Sequence, residues 1–165
     1  APVSGSTKPA ADGQLIILCS GATEDFEKAK PLFEVLGKKS LLLGDIGVGS
    51  KAKLAINYLI ALMYLGLAET VLFAEQNGIS RTDMLDIINE GALGGGLTRS
   101  KTPLIINDDY KPAFALKLME KDVRLAIEEG ADFPLTQAMY QAYADGIKNG
   151  YAEDDVMAIL KSIQH

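Results

Sequence analysis

Apolar residues follow two different rhythms along this chain. Up to about residue 46 they come in short runs, and from about residue 48 they recur at helical spacing. Gln14 to Cys19 is an apolar run without polar alternation, flanked by Gly13 and Gly21, which suits a strand buried on both faces. A helix follows. Thr23 can cap it, Glu24 and Asp25 put acids in its first turn, Pro31 predicts a kink or a break, and Gly37 ends it. Ser40 to Leu43 predicts another strand, and Ala1 to Ser6 reads as the end of a strand entering a loop. Strand, helix, strand is a βαβ-like fragment. Two or three strands are few for a free-standing sheet, so this segment predicts the last part of a larger parallel sheet.

After Gly47-Val48-Gly49 the pattern becomes helical. Lys51 to Gln76 holds a single glycine, Gly66, and no proline, which predicts one helix of about seven turns. Its longest uncharged stretch, Leu54 to Ala68, is 15 residues. That is short of the roughly 20 needed to cross a bilayer, so it reads as a core helix packed on several sides. Asn77-Gly78 stops it. Ser80-Arg81-Thr82-Asp83 is a capping-box-like start for a helix through about Asn89, and Gly91 to Gly96 forms a loop or bend. Thr98 to about Ile106 predicts a helix interrupted near Pro103. Pro112-Ala113 precedes a helix to Glu129, with Leu116, Met119, Val123 and Ile127 near helical spacing and Gly130 at its end. Pro134 opens the next helix, which stops at Gly150, and Asp154 or Asp155 starts the last. The fold class is mostly α: a helical bundle around one long central helix, preceded by a strand-helix-strand part. The expected division is 1–46 for the α/β part and 47–165 for the helical part.

Composition narrows the partners. Among 165 residues, 48% are apolar, enough to bury a core and exclude disorder. Against 22 Asp+Glu stand 16 Lys+Arg, a net charge of -6 without a basic run, which predicts no nucleic-acid partner. The short uncharged stretch of the central helix predicts no membrane partner. Cys19 has no second cysteine to pair with and reads as a small apolar residue in a strand; with no signal-peptide-like start, the cytoplasm is the expected compartment. The sole histidine, His165, is terminal, which removes His-based catalysis, and no acid or Cys cluster has metal-ligand spacing. A helical part this apolar predicts a homo-oligomer, dimer or tetramer. The chain opens without an initiator Met, so the start of a longer polypeptide is expected to be missing.

Gly47-Val48-Gly49-Ser50-Lys51-Ala52 matches a dinucleotide fingerprint, but the strand and acid expected about 20 residues later are absent. Two glycines permitting a tight start to a helix is the better reading. Lys53 and Asn57, four apart, share one face of the long helix. A lysine in apolar surroundings has its pKa drawn toward neutrality, as a proton donor needs; from spacing alone, a solvated first-turn lysine is the plainer reading. The Lys117/Lys121 and Glu120/Arg124 spacings read as a solvated, ion-paired face. Val3-Ser4-Gly5-Ser6 offers hydroxyls and backbone N–H groups suited to an anion, although most such loops are only turns. Gly94-Gly95-Gly96 follows no strand and reads as a bend between helices.

In order, Ala1-Pro2-Val3-Ser4-Gly5-Ser6, Gly47-x-Gly49-x-x-x-Lys53-x-x-x-Asn57 and Phe114 through Lys121-Asp122 resemble the β-hydroxyacid dehydrogenase family over essentially the whole chain. Ser-Gly-Ser and the Phe114–Asp122 segment look closest to its glyoxylate/succinic semialdehyde reductase branch. The resemblance implies that residues 1–46 are the remnant of a Rossmann-like NAD(P)-binding domain and that 47–165 form a substrate and dimerisation domain. It implies an NAD(P)-dependent oxidoreductase that interconverts short β-hydroxyacids and their semialdehyde or aldehyde acids. Lys53 is then the general acid/base and Asn57 holds the reacting oxygen. Ser4, Gly5, Ser6, Phe114 and Asp122 meet a small carboxylate-bearing substrate, and Lys121 lies near the cofactor. NADP or NAD would be held mainly by the missing amino-terminal domain, so the chain by itself is expected to be inactive. Many members have Gly-Gly after the Ser where this chain has Gly5-Ser6. The alternative is a non-catalytic helical dimerisation or scaffold domain, which has no need of Lys53.

Overall fold

Strand β1 (Val3–Ser4) leads through a short helix α1 (Thr7–Ala11) into β2 (Leu15–Cys19), the central strand of a three-stranded sheet. Ile17, Leu18 and Cys19 are buried, as their unbroken apolar run requires. Helix α2 (Thr23–Leu36) then crosses to β3 (Gly37–Leu42), which runs parallel to β2, with Leu15 opposite Gly37 and Cys19 opposite Leu42. Strand β1 runs antiparallel to β2, with Val3 opposite Ile17. The sheet is mixed, which corrects the all-parallel expectation: residues 5–14 fold straight back, and a parallel return needs a crossover of about a dozen residues or more. The computed structural model describes residues 1–164, so the expectation about His165 lies outside the described residues.

Helix α3 (Val48–Gln76) is the long central helix, at 29 residues about eight turns, one more than expected. It begins where β2 ends. A Cβ on Gly49 would collide with the Leu18 carbonyl, so glycine lets the helix start lie directly on the strand. Gly47 takes a left-handed conformation at φ 98° just before it. Around α3 stand α4 (Arg81–Glu90), α5 (Gly96–Asn107), α6 (Leu116–Glu128), α7 (Thr136–Lys148) and, after a 3-10 turn at Val156–Ala158, α8 (Ile159–Ile163). The main core lies among them, with Leu85, Ile105, Leu116, Tyr143 and Leu160 at 0% exposure. By length and composition α3 suffices to cross a membrane, so the uncharged-run criterion was too strict. Here it packs against α4, α6 and α8 as a core helix does, but not on every side: Ile56, Leu59, Met63 and Phe73 are exposed.

Ser80 caps α4 as expected, its Oγ accepting from Asp83 N at 3.1 Å. Thr23 does not cap α2; Ala22 holds that position. Neither Pro31 nor Pro103 interrupts its helix. Each proline, and the residue four positions before it whose carbonyl it frees, is exposed, where the lost hydrogen bond costs least.

Candidate functional site

The inner face of α3 is a stripe at helical spacing. Asn57, Ala61, Ala68 and Val71 are buried, with Tyr64 half-buried among them. Asn57 therefore occupies a core position. The matching stripe on α6 is Leu116, Met119, Asp122, Val123 and Ala126, all buried. Packing these stripes together faces the two polar members, and Asn57 Nδ2 donates to Asp122 Oδ2 at 2.6 Å. Lys121, the preceding residue, points outward and returns to donate from Nζ to Asp122 Oδ1 at 2.6 Å. One carboxylate, 8% exposed, thus has one oxygen held by an amide and the other by an ammonium.

Lys53 stands one turn before Asn57 on the same face, near the start of α3. It is half-buried. Burial draws its pKa below the ordinary lysine value, partly opposed by the negative charge of Asp122. Among the described residues it makes no hydrogen bond or ion pair. The arrangement is a partly desolvated ammonium beside an amide and a carboxylate, which suits proton exchange with a small polar ligand.

The remaining expected site residues are more scattered. Ser4 ends β1, which packs on α3, and is half-buried. Gly5, at φ 142°, and Ser6, preceding α1, are exposed. Phe114 is half-buried just ahead of α6. Among the described residues no side-chain hydrogen bond joins these four to the Asn57–Asp122 cluster. Glu120 and Arg124 do not pair; Lys117 meets Glu153 at 2.6 Å and Arg124 meets Glu128 at 2.7 Å. Cys19 is buried with its thiol pushed up by desolvation, in keeping with an inert strand residue. Gly94 packs against the Asn89 backbone and helps α4 turn into α5.

Sequence reasoning missed a second buried pair. Lys101 of α5 lies 2.8 Å from both carboxylate oxygens of Asp155, with exposures of 5% and 0%. The signal was present: Thr98, Lys101 and Ile105 form the buried stripe of α5, so the lysine sits where an apolar residue belongs.

Comparison with known proteins places this architecture. The sequence model for the NAD-binding region of NADP-dependent 3-hydroxyisobutyrate dehydrogenase matches residues 47–163, and that for the NAD-binding domain of 6-phosphogluconate dehydrogenase matches residues 1–44. The chain belongs to the β-hydroxyacid dehydrogenase family. Glyoxylate/succinic semialdehyde reductase 1 of Arabidopsis thaliana is 38% identical over 99% of this β-hydroxyacid dehydrogenase chain and 58% of its own length. A 3-hydroxyisobutyrate dehydrogenase from Salmonella typhimurium superposes with a TM-score of 0.91 at 25% identity, covering 98% of this chain and 58% of that one. The cytokine-like nuclear factor N-PAC of Homo sapiens is 31% identical over 100% of this chain and 31% of its own length. The chain therefore spans little more than half the length of the reductase it matches, and less of the nuclear factor.

Proposed function

We propose that this chain is the helical half, with the last strands of the partner domain, of an NAD(P)-dependent reductase of short semialdehyde or aldehyde acids, closest in kind to glyoxylate and succinic semialdehyde reductases. The observation that carries the reading is Lys53, partly desolvated and without a partner among the described residues, one turn from an Asn57 pinned to buried Asp122. A bound nicotinamide dinucleotide supplies hydride to the carbonyl carbon. Lys53 Nζ gives its proton to the carbonyl oxygen during reduction and takes it back in the reverse direction. Asn57, held by Asp122, keeps an N–H directed at the same oxygen. Ser4 and the Gly5 N–H hold the substrate carboxylate, with Ser6 beside them and Phe114 and Asp122 at the edge of the pocket.

The residues present fit only part of a dinucleotide. Lys121, with its side chain 46% exposed, meets its anionic portion. Gly49 lies directly against the Leu18 carbonyl of the chain's own β2, which accounts for that glycine without a pyrophosphate. Most of the NADP or NAD contact falls to a segment outside this chain, so the chain by itself is inactive. The exposed Ile56, Leu59, Met63 and Phe73 on α3 support a homo-oligomer, and a single cysteine with no disulfide to form is compatible with the cytoplasm.

The test is Lys53→Ala in the full-length reductase, assayed with NADPH against glyoxylate and succinic semialdehyde. The expected loss in kcat is roughly 10²- to 10⁴-fold. Lys53→Arg fails to rescue it, because a guanidinium stays protonated. Retention of more than about a tenth of the turnover contradicts the reading. It would favour the scaffold alternative, for which Lys53 is dispensable.

A further inference from the structure

The Asp155 carboxylate receives more donors than its charge partner alone requires. Lys101 Nζ approaches both oxygens at 2.8 Å, and its ammonium also stands 5.3 Å from the centre of the Tyr64 ring, within cation–π range. Asp155 Oδ1 accepts from Met157 N at 3.1 Å, capping the 3-10 turn. Oδ2 accepts from Ala113 N at 3.1 Å and Phe114 N at 3.3 Å. The backbone completes the clasp: Asp155 N donates to Tyr110 O and Val156 N to Phe114 O, both at 2.8 Å. Phe114 is thus held at its N–H by the Asp155 side chain and at its carbonyl by the next residue. Immediately afterwards Leu116 N donates to Asp154 O at 2.9 Å, where α6 begins.

Stability alone does not call for ions here. Apolar residues of similar volume often replace a buried pair at no cost or with a gain. Two apolar side chains could fill this volume, but they could not accept from the backbone N–H groups of Ala113, Phe114 and Met157. A carboxylate accepts on both oxygens, as the three N–H groups shared between Asp155 Oδ1 and Oδ2 require, and buried it needs a cation such as Lys101 beside it. The clasp also sits upstream of the candidate site, because Phe114 precedes Asp122 by eight positions on the segment it anchors. Among the described residues no hydrogen bond or ion pair joins Lys101 or Asp155 directly to Lys53, Asn57 or Asp122.

We infer that Lys101 and Asp155 are positioning residues for substrate recognition: together they hold the loop 110–115 so that Phe114 and the first turn of α6 present a fixed edge to the substrate. This rests on the reading of Phe114 and Lys53 given above. Neither residue touches the reacting atoms.

The experiment compares three variants of the full-length reductase: Asp155→Asn, the double variant Lys101→Met with Asp155→Leu, and Lys53→Ala. Each is assayed with NADPH against glyoxylate and succinic semialdehyde, with melting temperature and amide hydrogen exchange followed in parallel. Asp155→Asn keeps the shape but turns a donor toward backbone N–H groups. It is expected to lower kcat/KM by about 10- to 100-fold, mainly through KM, with dinucleotide affinity unchanged and faster exchange at Ala113 and Phe114. The double variant removes the buried charges and recovers the melting temperature, yet keeps the raised KM and the fast exchange. If KM returns to normal together with the melting temperature, the pair is a stabiliser only and the inference is overturned. It is equally overturned if Asp155→Asn leaves KM and the exchange at those two amides unchanged. Lys53→Ala separates the two claims: full activity there removes the proton-donor reading, whereas an inactive Lys53→Ala beside a normal KM in Asp155→Asn removes only the positioning claim.

Discussion

Asp155 and Asp122 are both carboxylates buried in the helical part, at 0% and 8% exposure, and each has a lysine against it. Their surroundings differ in kind. Asp155 is held by Lys101 and by the backbone N–H groups of Ala113, Phe114 and Met157, groups that cannot move without unfolding a loop. Asp122 is held only by side chains, Asn57 and the half-exposed Lys121, and Lys53 nearby has no partner among the described residues. The first centre is closed. The second keeps a cation and an amide in reserve. A buried charge held by backbone groups and a buried ion contributes order, while one held by side chains alone, one of them half-exposed, next to a lysine without a partner among the described residues, is arranged for exchange with a ligand.

The sharpest way to break this contrast is to remove each carboxylate in turn. Asp155→Ala strands the Lys101 charge in the core and is expected to destabilise the protein by about 3–5 kcal/mol in denaturant unfolding. Asp122→Ala leaves the Asn57 amide without its acceptor but releases a solvated Lys121, so the expected loss is about 1–3 kcal/mol. Equal losses would show that the two centres do the same job. Lys121→Met removes an exposed partner and is expected to change stability by only about 0.5 kcal/mol in either direction, the usual range at a surface position.

The alkaline limb sharpens the contrast by sign. Burial, with the Asp155 charge second, pushes the Tyr64 phenol beside the closed centre up to about 12. The folded protein then holds a proton that the unfolded chain releases near pH 10. Stability from this group is present below that pH and is lost as pH rises toward 12. Lys53 behaves oppositely. Its pKa is lowered in the fold, so its burial opposes folding while it is charged, and that cost is relieved as pH rises through its folded pKa toward 10.5. Tyr64→Phe should flatten the fall in stability between about pH 10 and 12, and Lys53→Met should remove the opposing rise. Melting temperatures followed from below pH 10 up to about pH 12 check both, since the Lys53 rise falls below 10.5 and the Tyr64 loss above about pH 10.

Much of this was legible in the sequence, and what was not has physical causes. The apolar run at Leu15–Cys19 and the proline-free stretch leading to Gln76 declared β2 and α3, because hydrophobic periodicity is a strong signal in long elements. The prolines misled, since propensity treats Pro31 and Pro103 alike whether the freed carbonyl faces water or core. The orientation of β1 depended on the length of a connection containing the unforeseen α1. Lys53 and Asn57 were legible as a pair at i and i+4, but the partner that fixes Asn57 is 65 positions away on α6. Lys101 carried its own signal, a charge at a core position of α5, yet its meaning depended on Asp155, 54 positions on. Such pairings arise from helix packing, which periodicity within one helix does not encode.

The account rests on Lys53 being a partly desolvated lysine whose charge feels Asp122. Selective isotope labelling and an NMR titration of the Lys53 side chain, in wild type and in Asp122→Asn, measures this directly. The predicted midpoint in wild type lies below the ordinary lysine value of 10.5, and it falls further in Asp122→Asn, where the opposing carboxylate charge is gone. A wild-type midpoint at or above 10.5, unmoved by Asp122→Asn, would mean that Lys53 is a solvated surface lysine and would contradict the account.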